Sequence, residues 1–149
     1  MSRRCHSWRR VYVLMSSELT VRREVVVVDT ALWVAQGVLA AVFAASGGLK
    51  AVMSKERLLA SGQTGVRDYS LPAIRAIAAC ELAAAVGLIV PGLAGRALVL
   101  TPLAAVGLAG VMVGAAVAHT KLREPRNVAV NAVLFVICVG VAAGRFAGL

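Results

Sequence analysis

The stretch of sequence that decides the fold is ALVLTPLAAVGLAGVMVGAAVA, residues 97–118, which holds no charged side chain. The hydrocarbon core of a bilayer is about 30 Å thick, and a helix needs about 20 apolar residues to cross it. A helix also satisfies its backbone hydrogen bonds internally, as lipid requires. The stretch therefore predicts a transmembrane helix over residues 97–119.

Three further segments share this apolar character, namely residues 31–53, 71–92 and 127–146. Asp29 and Thr30, just before the first of them, are residue types that cap helix N-termini. Sustained alternation of apolar and polar residues, the pattern of a half-buried strand, does not occur. We therefore predict an all-α fold: an integral membrane bundle of four transmembrane helices with both termini on one side.

The composition agrees with a membrane protein. Of the 149 residues, 60% are hydrophobic, and the mean hydropathy is +0.83, whereas a soluble domain is about 45–50% apolar. Four spans and their short loops occupy residues 31–149, so a single membrane domain is expected there. Residues 1–30 are rich in arginine and are expected to form a basic, poorly ordered N-terminal extension.

The formal charge of +9 bears on which kinds of partner the chain binds. A nucleic-acid-binding protein carries such a charge on one face of a soluble domain, and this chain has no such domain, so no nucleic-acid partner is expected. Lysine and arginine beside membrane spans are instead typical of contacts with lipid headgroups. The predicted partner is the lipid bilayer, and the predicted location is a cell membrane that the chain crosses several times.

The ionisable residues within the spans mark a candidate site. Glu81 lies about 15 Å into the second span at 1.5 Å per residue, where an ionised carboxylate costs at least about 2.5–3.5 kcal/mol. The order of the helices places Lys50, Arg75, His119 and Asn131 in the same leaflet half. Arg75 is about 120° away from Glu81 around the helix, so a partner from another helix is expected. The alternative is a structural pair that only fixes helix packing.

The chain contains no P-loop, GxSxG or HExxH signature, so its catalytic residues, if it has any, are unknown. Its three cysteines are far apart, so no metal site is expected. With only two histidines, haem ligation has little support. No cofactor is evident, although a quinone is possible. Basic residues surround the predicted mouth of the site, where the sequence favours anchoring to lipid headgroups over the admission of a quinone-like or anionic molecule. These are Lys55, Arg57, Arg67, Lys121, Arg123 and Arg126.

An ordered set of short matches gives the chain a family resemblance. Residues 31–41, followed by Phe43 and by SGGLK at 46–50, resemble the first helix of the DoxX-like family. ELAAAVGLIVP at 81–91 resembles its second helix. The third and fourth helices are matched by LTPLAAVGL at 100–108, MVGAAVAH at 112–119, Asn131 and GRF at 144–146. The basic extension is not part of the family pattern, and the loop KLREP at 121–125 departs from it.

The resemblance implies a four-helix protein of the bacterial cytoplasmic membrane, and some relatives are named as subunits of thiosulfate:quinone oxidoreductase or quinol oxidase. The first expectation is a non-enzymatic accessory subunit that binds a partner in a membrane redox or stress-response system. One alternative is a subunit of a quinone-linked membrane oxidoreductase. A second alternative is a proton-coupled transporter of a small molecule that uses Glu81. A homo-oligomer is also compatible with the sequence.

Overall fold

A computed structural model of the chain describes the backbone of residues 3–149 and the side chains of residues 18–149. Four long helices form the bundle, and each is long and apolar enough to cross a membrane. No strand occurs in this described part of the chain, so the predicted all-α membrane fold is confirmed. The helices are α1 (Arg3–Val52), the short α2 (Lys55–Ala60), α3 (Leu71–Ala94), α4 (Leu100–Lys121) and α5 (Pro125–Phe146).

The four long helices form a ring in which sequence neighbours pack side by side. Helix α3 packs between α1 and α4, and α5 packs closely on α4. The ring closes through a smaller contact between α5 and α1. The buried core consists of apolar side chains from all four helices, among them Leu39, Phe43, Leu88, Leu108 and Val141.

Helix α1 begins earlier than the sequence predicts. The helix cap predicted at Asp29 and Thr30 is wrong, because residues 18–30 continue α1 without a break. The Thr30 hydroxyl donates to the Val26 carbonyl at 2.8 Å, and Asp29 pairs with Arg145, so neither side chain caps a helix end. The expectation that residues 1–30 are poorly ordered stays a prediction. Residues 1 and 2 lie outside the part of the chain that the structure describes.

The connection between α3 and α4 also differs from the prediction. Helix α3 continues through Pro91 to Ala94, and Gly95 ends it with a left-handed φ of 62°. The amide of Arg96 donates to the Pro91 carbonyl at 3.2 Å, as is usual when a glycine in this conformation terminates a helix. The turn thus follows Gly95, and α4 starts at Leu100 rather than at residue 97.

The loop between α1 and α3 carries structure of its own. It contains helix α2 and a 3-10 turn, Thr64–Val66. Leu58 and Val66 pack on Ile74 of α3 and form a second, smaller apolar core. This packing fixes the loop against the same end of the bundle to which the sequence assigns the candidate site.

Candidate functional site

The candidate site is built around an ion pair between α1 and α3. Lys50 Nζ lies 2.7 Å from Glu81 Oε1 and 3.0 Å from Oε2, and it also donates to the Ser46 hydroxyl at 2.7 Å. Glu81 is 1% exposed and Lys50 is 8% exposed. The sequence predicts a partner for Glu81 on another helix, and the structure supplies Lys50.

A glycine allows the two helices to approach at this pair. A Cβ added at Gly47 would lie 3.1 Å from the Glu81 Cβ and 3.1 Å from the Ala78 carbonyl oxygen. A larger residue would require α1 or these neighbouring atoms to shift, at the point where Lys50 reaches Glu81. The helix packing and the ion pair therefore depend on each other.

A cavity of about 490 Å³ lies beside the ion pair. Its walls are mostly apolar, and a few polar side chains interrupt them. All four long helices and the loop between α1 and α3 contribute. Of the predicted site residues, four line this cavity: Lys50, Glu81, His119 and Asn131.

His119 lies at the loop side of the cavity, next to a carboxylate. Its Nδ1 is 2.7 Å from Glu124 Oε2, and the same oxygen accepts from the Thr64 hydroxyl at 2.6 Å and from the Asn127 amide at 2.8 Å. Hydrogen bonds from Thr64, Asn127 and His119, given from the largest effect to the smallest, lower the pKa of Glu124 to about 2. Glu124 is therefore ionised at neutral pH.

The ionised carboxylate selects the tautomer of His119. Because Glu124 can only accept, Nδ1 of His119 carries a proton, and Nε2 is left as an acceptor that becomes a donor when the ring is protonated. Gly65 lies against that ring, since a Cβ there would be 2.9 Å from Nε2. Sequence reasoning missed Glu124. The available signal was its position directly before Pro125, beside His119 in the short loop.

Arg75 is the predicted residue that does not join the cavity. Its guanidinium donates to the main-chain carbonyls of Lys50 and Met53 at the C-terminal end of α1. These carbonyls have no partner within the helix, and a cation there also suits the helix dipole. Arg75 thus fixes the end of α1 that carries Lys50.

The model of the DoxX-like family matches residues 34–141, which is well over half of the chain. The chain belongs to the DoxX-like family. No curated protein and no solved structure matches it. The matched region of this DoxX-like protein includes all the cavity residues predicted from the sequence, as well as Glu124.

A second polar cluster joins α1 to α5 at the opposite end of the DoxX-like bundle. Arg145 Nε donates to Gln36 Oε1 at 2.6 Å, and Nη1 donates to Asp29 Oδ1 at 2.6 Å. The guanidinium also stacks 5.2 Å from the centre of the Trp33 ring. Gln36 in turn donates to the Leu88 carbonyl of α3 at 2.5 Å. Sequence reasoning assigned no role to Gln36.

Among residues 18–149, no group of three or more histidine, cysteine or carboxylate side chains is placed to hold a metal ion. Cys138 is buried in the core, and Cys80 is exposed on the outer surface of α3. The side chains that line the cavity present an ammonium, a buried carboxylate, an imidazole, hydroxyls and amides.

Proposed function

We propose that this DoxX-like protein is an accessory subunit of a membrane redox system that binds a quinone-class molecule in the cavity beside Lys50 and Glu81. The observation that carries the proposal is the combination of apolar walls with a few polar groups. Small-molecule sites are typically clefts of about 300–1,000 Å³ with this character, and the cavity of about 490 Å³ falls within that range.

The polar groups suit both forms of a quinone. Asn131 uses one amide hydrogen on the Asn127 carbonyl at 2.9 Å, which leaves the other for a quinone carbonyl oxygen. Neutral His119 offers Nε2 to the hydroxyl of a quinol, and a protonated ring offers a hydrogen to a quinone. In this proposal the electrons come from a partner subunit, and this chain contributes the ligand site.

The depth of the ion pair supports the same proposal. Lys50 and Glu81 are both buried within membrane-spanning helices, and ionisable groups at such depth are usually functional. A charged pair beside an apolar cavity creates a local electric field, and this field stabilises a polarisable head group bound next to the pair. If Lys50 and Glu81 only fixed the helix packing, apolar residues of similar volume would be sufficient at these positions.

The test is quinone binding by the purified protein in lipid nanodiscs, titrated with decylubiquinone. Asn131→Leu and His119→Leu each remove one hydrogen-bonding group from the cavity. We expect each to raise the Kd about tenfold, because a hydrogen bond to a buried ligand group is worth about 1.4 kcal/mol. Cys80→Ser, on the exposed outer surface, is the matched control and should bind like the wild type.

The absence of saturable binding by the wild-type protein would refute the quinone proposal. Purification in mild detergent then distinguishes between the remaining functions considered for this protein. A stoichiometric redox protein that co-purifies without quinone would support an accessory subunit that only binds a partner. Equal affinities for the cavity variants and for Cys80→Ser would place quinone binding elsewhere on the protein.

A further inference from the structure

The cavity has two boundaries, one toward water and one toward lipid, and they differ. On the water side, five residues of the loop between α1 and α3 form part of the cavity wall. They are Gly62, Gln63, Gly65, Val66 and Tyr69. The loop thus lies over the end of the cavity that faces the membrane surface.

Hydrogen bonds hold the loop in this position. The Thr64 hydroxyl donates to Glu124, in the turn between α4 and α5, at 2.6 Å. Lys55 Nζ donates to the Tyr69 carbonyl at 2.8 Å and so ties the two ends of the loop together. Since Val66 is also buried in the second apolar core, a ligand arriving from water would have to displace a packed and hydrogen-bonded segment.

On the lipid side, the wall between α1 and α5 is closed at only one end. Near the Arg145 cluster the two helices touch: a Cβ added at Gly144 would lie 2.7 Å from Leu32 Cδ1. Arg145 bridges the same end through Gln36 and Asp29. Among the described residues, no hydrogen bond or ion pair joins α1 to α5 in their other halves.

In those other halves, both helices line the cavity, together with α3, α4 and the loop. Residues Val42, Phe43, Ser46 and Lys50 of α1 line it, and so do residues of α5 between 127 and 134. Two of the lining side chains also reach the outer surface: Val42 is 39% exposed and Val130 is 52% exposed. Both lie on helices that span the membrane, where that surface contacts acyl chains.

We infer that the cavity takes its ligand from the bilayer, through an opening between α1 and α5 flanked by Val42 and Val130. The ligand class is then a lipid-dissolved molecule with a hydrogen-bonding head and an apolar tail. The head occupies the polar part of the cavity near Lys50 and Asn131, and the tail passes between α1 and α5 into lipid. This inference rests on the proposed function for the identity of the head group, but the opening itself does not.

The opening can be tested without any quinone. Ser46→Cys, in a background of Cys5→Ser, Cys80→Ser and Cys138→Ala, places one thiol on the cavity wall. Lys50 Nζ lies 2.7 Å from the native hydroxyl, so the ammonium should favour the reactive thiolate. The protein in liposomes is treated with either a lipid-soluble maleimide or a sulfonated, membrane-impermeant maleimide.

We expect the lipid-soluble reagent to label the introduced thiol at least tenfold faster than the sulfonated reagent. Adding Val42→Trp and Val130→Trp should block the opening and slow lipid-soluble labelling at least tenfold. Val86→Trp is the matched control, since Val86 is exposed on α3 and does not line the cavity. Thr64→Val, which releases the loop from Glu124, should leave the lipid-soluble rate unchanged.

The inference is overturned if the sulfonated reagent labels faster, or if the paired tryptophans slow labelling no more than Val86→Trp. Val42→Phe with Val130→Phe is a milder pair that should give a smaller block if the tryptophan pair does not fold. Decylubiquinone and its tail-free analogue then test the ligand class. Equal affinities would refute the need for a tail and leave quinone binding intact, whereas no binding of either would refute the proposed function alone.

Discussion

The two ends of the bundle use similar charged groups in different ways. At one end, Arg145 of α5 reaches across to Asp29 and Gln36 of α1 and joins the two helices directly. At the other end, Lys50 of α1 pairs with Glu81 of α3, and both α1 and α5 line the cavity there. The choice of partner thus decides where the bundle is closed and where it holds a binding space.

The burial of the two ion pairs also differs. The Lys50 and Glu81 side chains are almost fully enclosed, whereas the Asp29 side chain is 44% exposed. A charge left alone is costly when it is buried and cheap when water can reach it. The cavity end should therefore respond more strongly to the loss of one partner, and the predictions below are arranged to test this difference.

The largest effect is expected from Lys50→Met. This variant leaves Glu81 buried without a cation, which should cost about 3–5 kcal/mol of unfolding free energy. The double variant Lys50→Met with Glu81→Leu removes both charges and should recover most of that loss. The free energy of unfolding of both variants is measured in mixed detergent micelles. If the double variant is as unstable as the single one, the pair is not what stabilises this end.

Arg145→Met is the corresponding test at the other end. It leaves the Gln36 side chain without one hydrogen-bond partner, but Asp29 stays partly hydrated, so the loss should be smaller, about 1–3 kcal/mol. The same unfolding assay applies, with Arg96→Met as a control for the loss of an exposed arginine on that side. A loss larger than that of Lys50→Met would reverse the ranking of the two ends.

A pair of adjacent glycines tests the close approach of α1 and α3. Gly47→Ala places a methyl group 3.1 Å from the Ala78 carbonyl and from two side-chain atoms, which should destabilise the protein by about 1–3 kcal/mol. Gly48 has nothing within 4 Å of an added Cβ, so Gly48→Ala should instead stabilise α1 by up to about 1 kcal/mol. Equal effects of the two variants would contradict the packing described for Gly47.

The smallest effect concerns the loop that covers the cavity. The pKa of Glu124 is lowered from 4.5 to about 2 in the folded chain. Its hydrogen bonds therefore stabilise the closed loop above pH 4.5, and this contribution is lost as the pH falls from 4.5 toward 2. Amide hydrogen exchange in residues 61–70, corrected for the intrinsic pH dependence, should show reduced protection over that range.

Glu124→Gln supplies the comparison for this titration. It should weaken protection of the loop at neutral pH and remove the change between pH 4.5 and pH 2. Glu56→Gln is the control, because the pKa of Glu56 is also lowered, mainly by a backbone hydrogen bond at α2, but Glu56 does not contact the cavity. An unchanged pH profile in Glu124→Gln would show that another group controls the loop.

Much of the site could be predicted from the sequence because depth in a membrane follows from position along a helix. Counting residues places Lys50, His119 and Asn131 in one leaflet half and Glu81 about 15 Å into its span, and lipid makes an unpaired charge at that depth unfavourable. The role of Arg75 could not be predicted in this way. Its position suggests the same site, but its guanidinium binds main-chain carbonyls, which exist as acceptors only once α1 ends beside it.

Glu124 and Gln36 show why other contacts were missed. Glu124 stands in a short polar loop, where a carboxylate usually faces water, and only the folded loop brings Thr64 to it from 60 residues away. Gln36 looks like an isolated polar residue within an apolar span. Its partners, Leu88 and Arg145, lie on two other helices, and no local pattern connects them.

The sequence by itself determined that this chain is a four-helix membrane protein of the DoxX-like type, because the length and apolarity of each span are local properties that lipid selects. The tertiary structure alone decided that Glu81 pairs with Lys50, that Arg145 joins α1 to α5 at the far end, and that all four long helices line a cavity near His119. The physical reason is that the length of an apolar segment fixes the depth of its helix in the bilayer but not the rotation of that helix about its own axis. Which side chains meet depends on how each helix turns about its axis, and the close contacts at Gly47 and Gly144 set that turn.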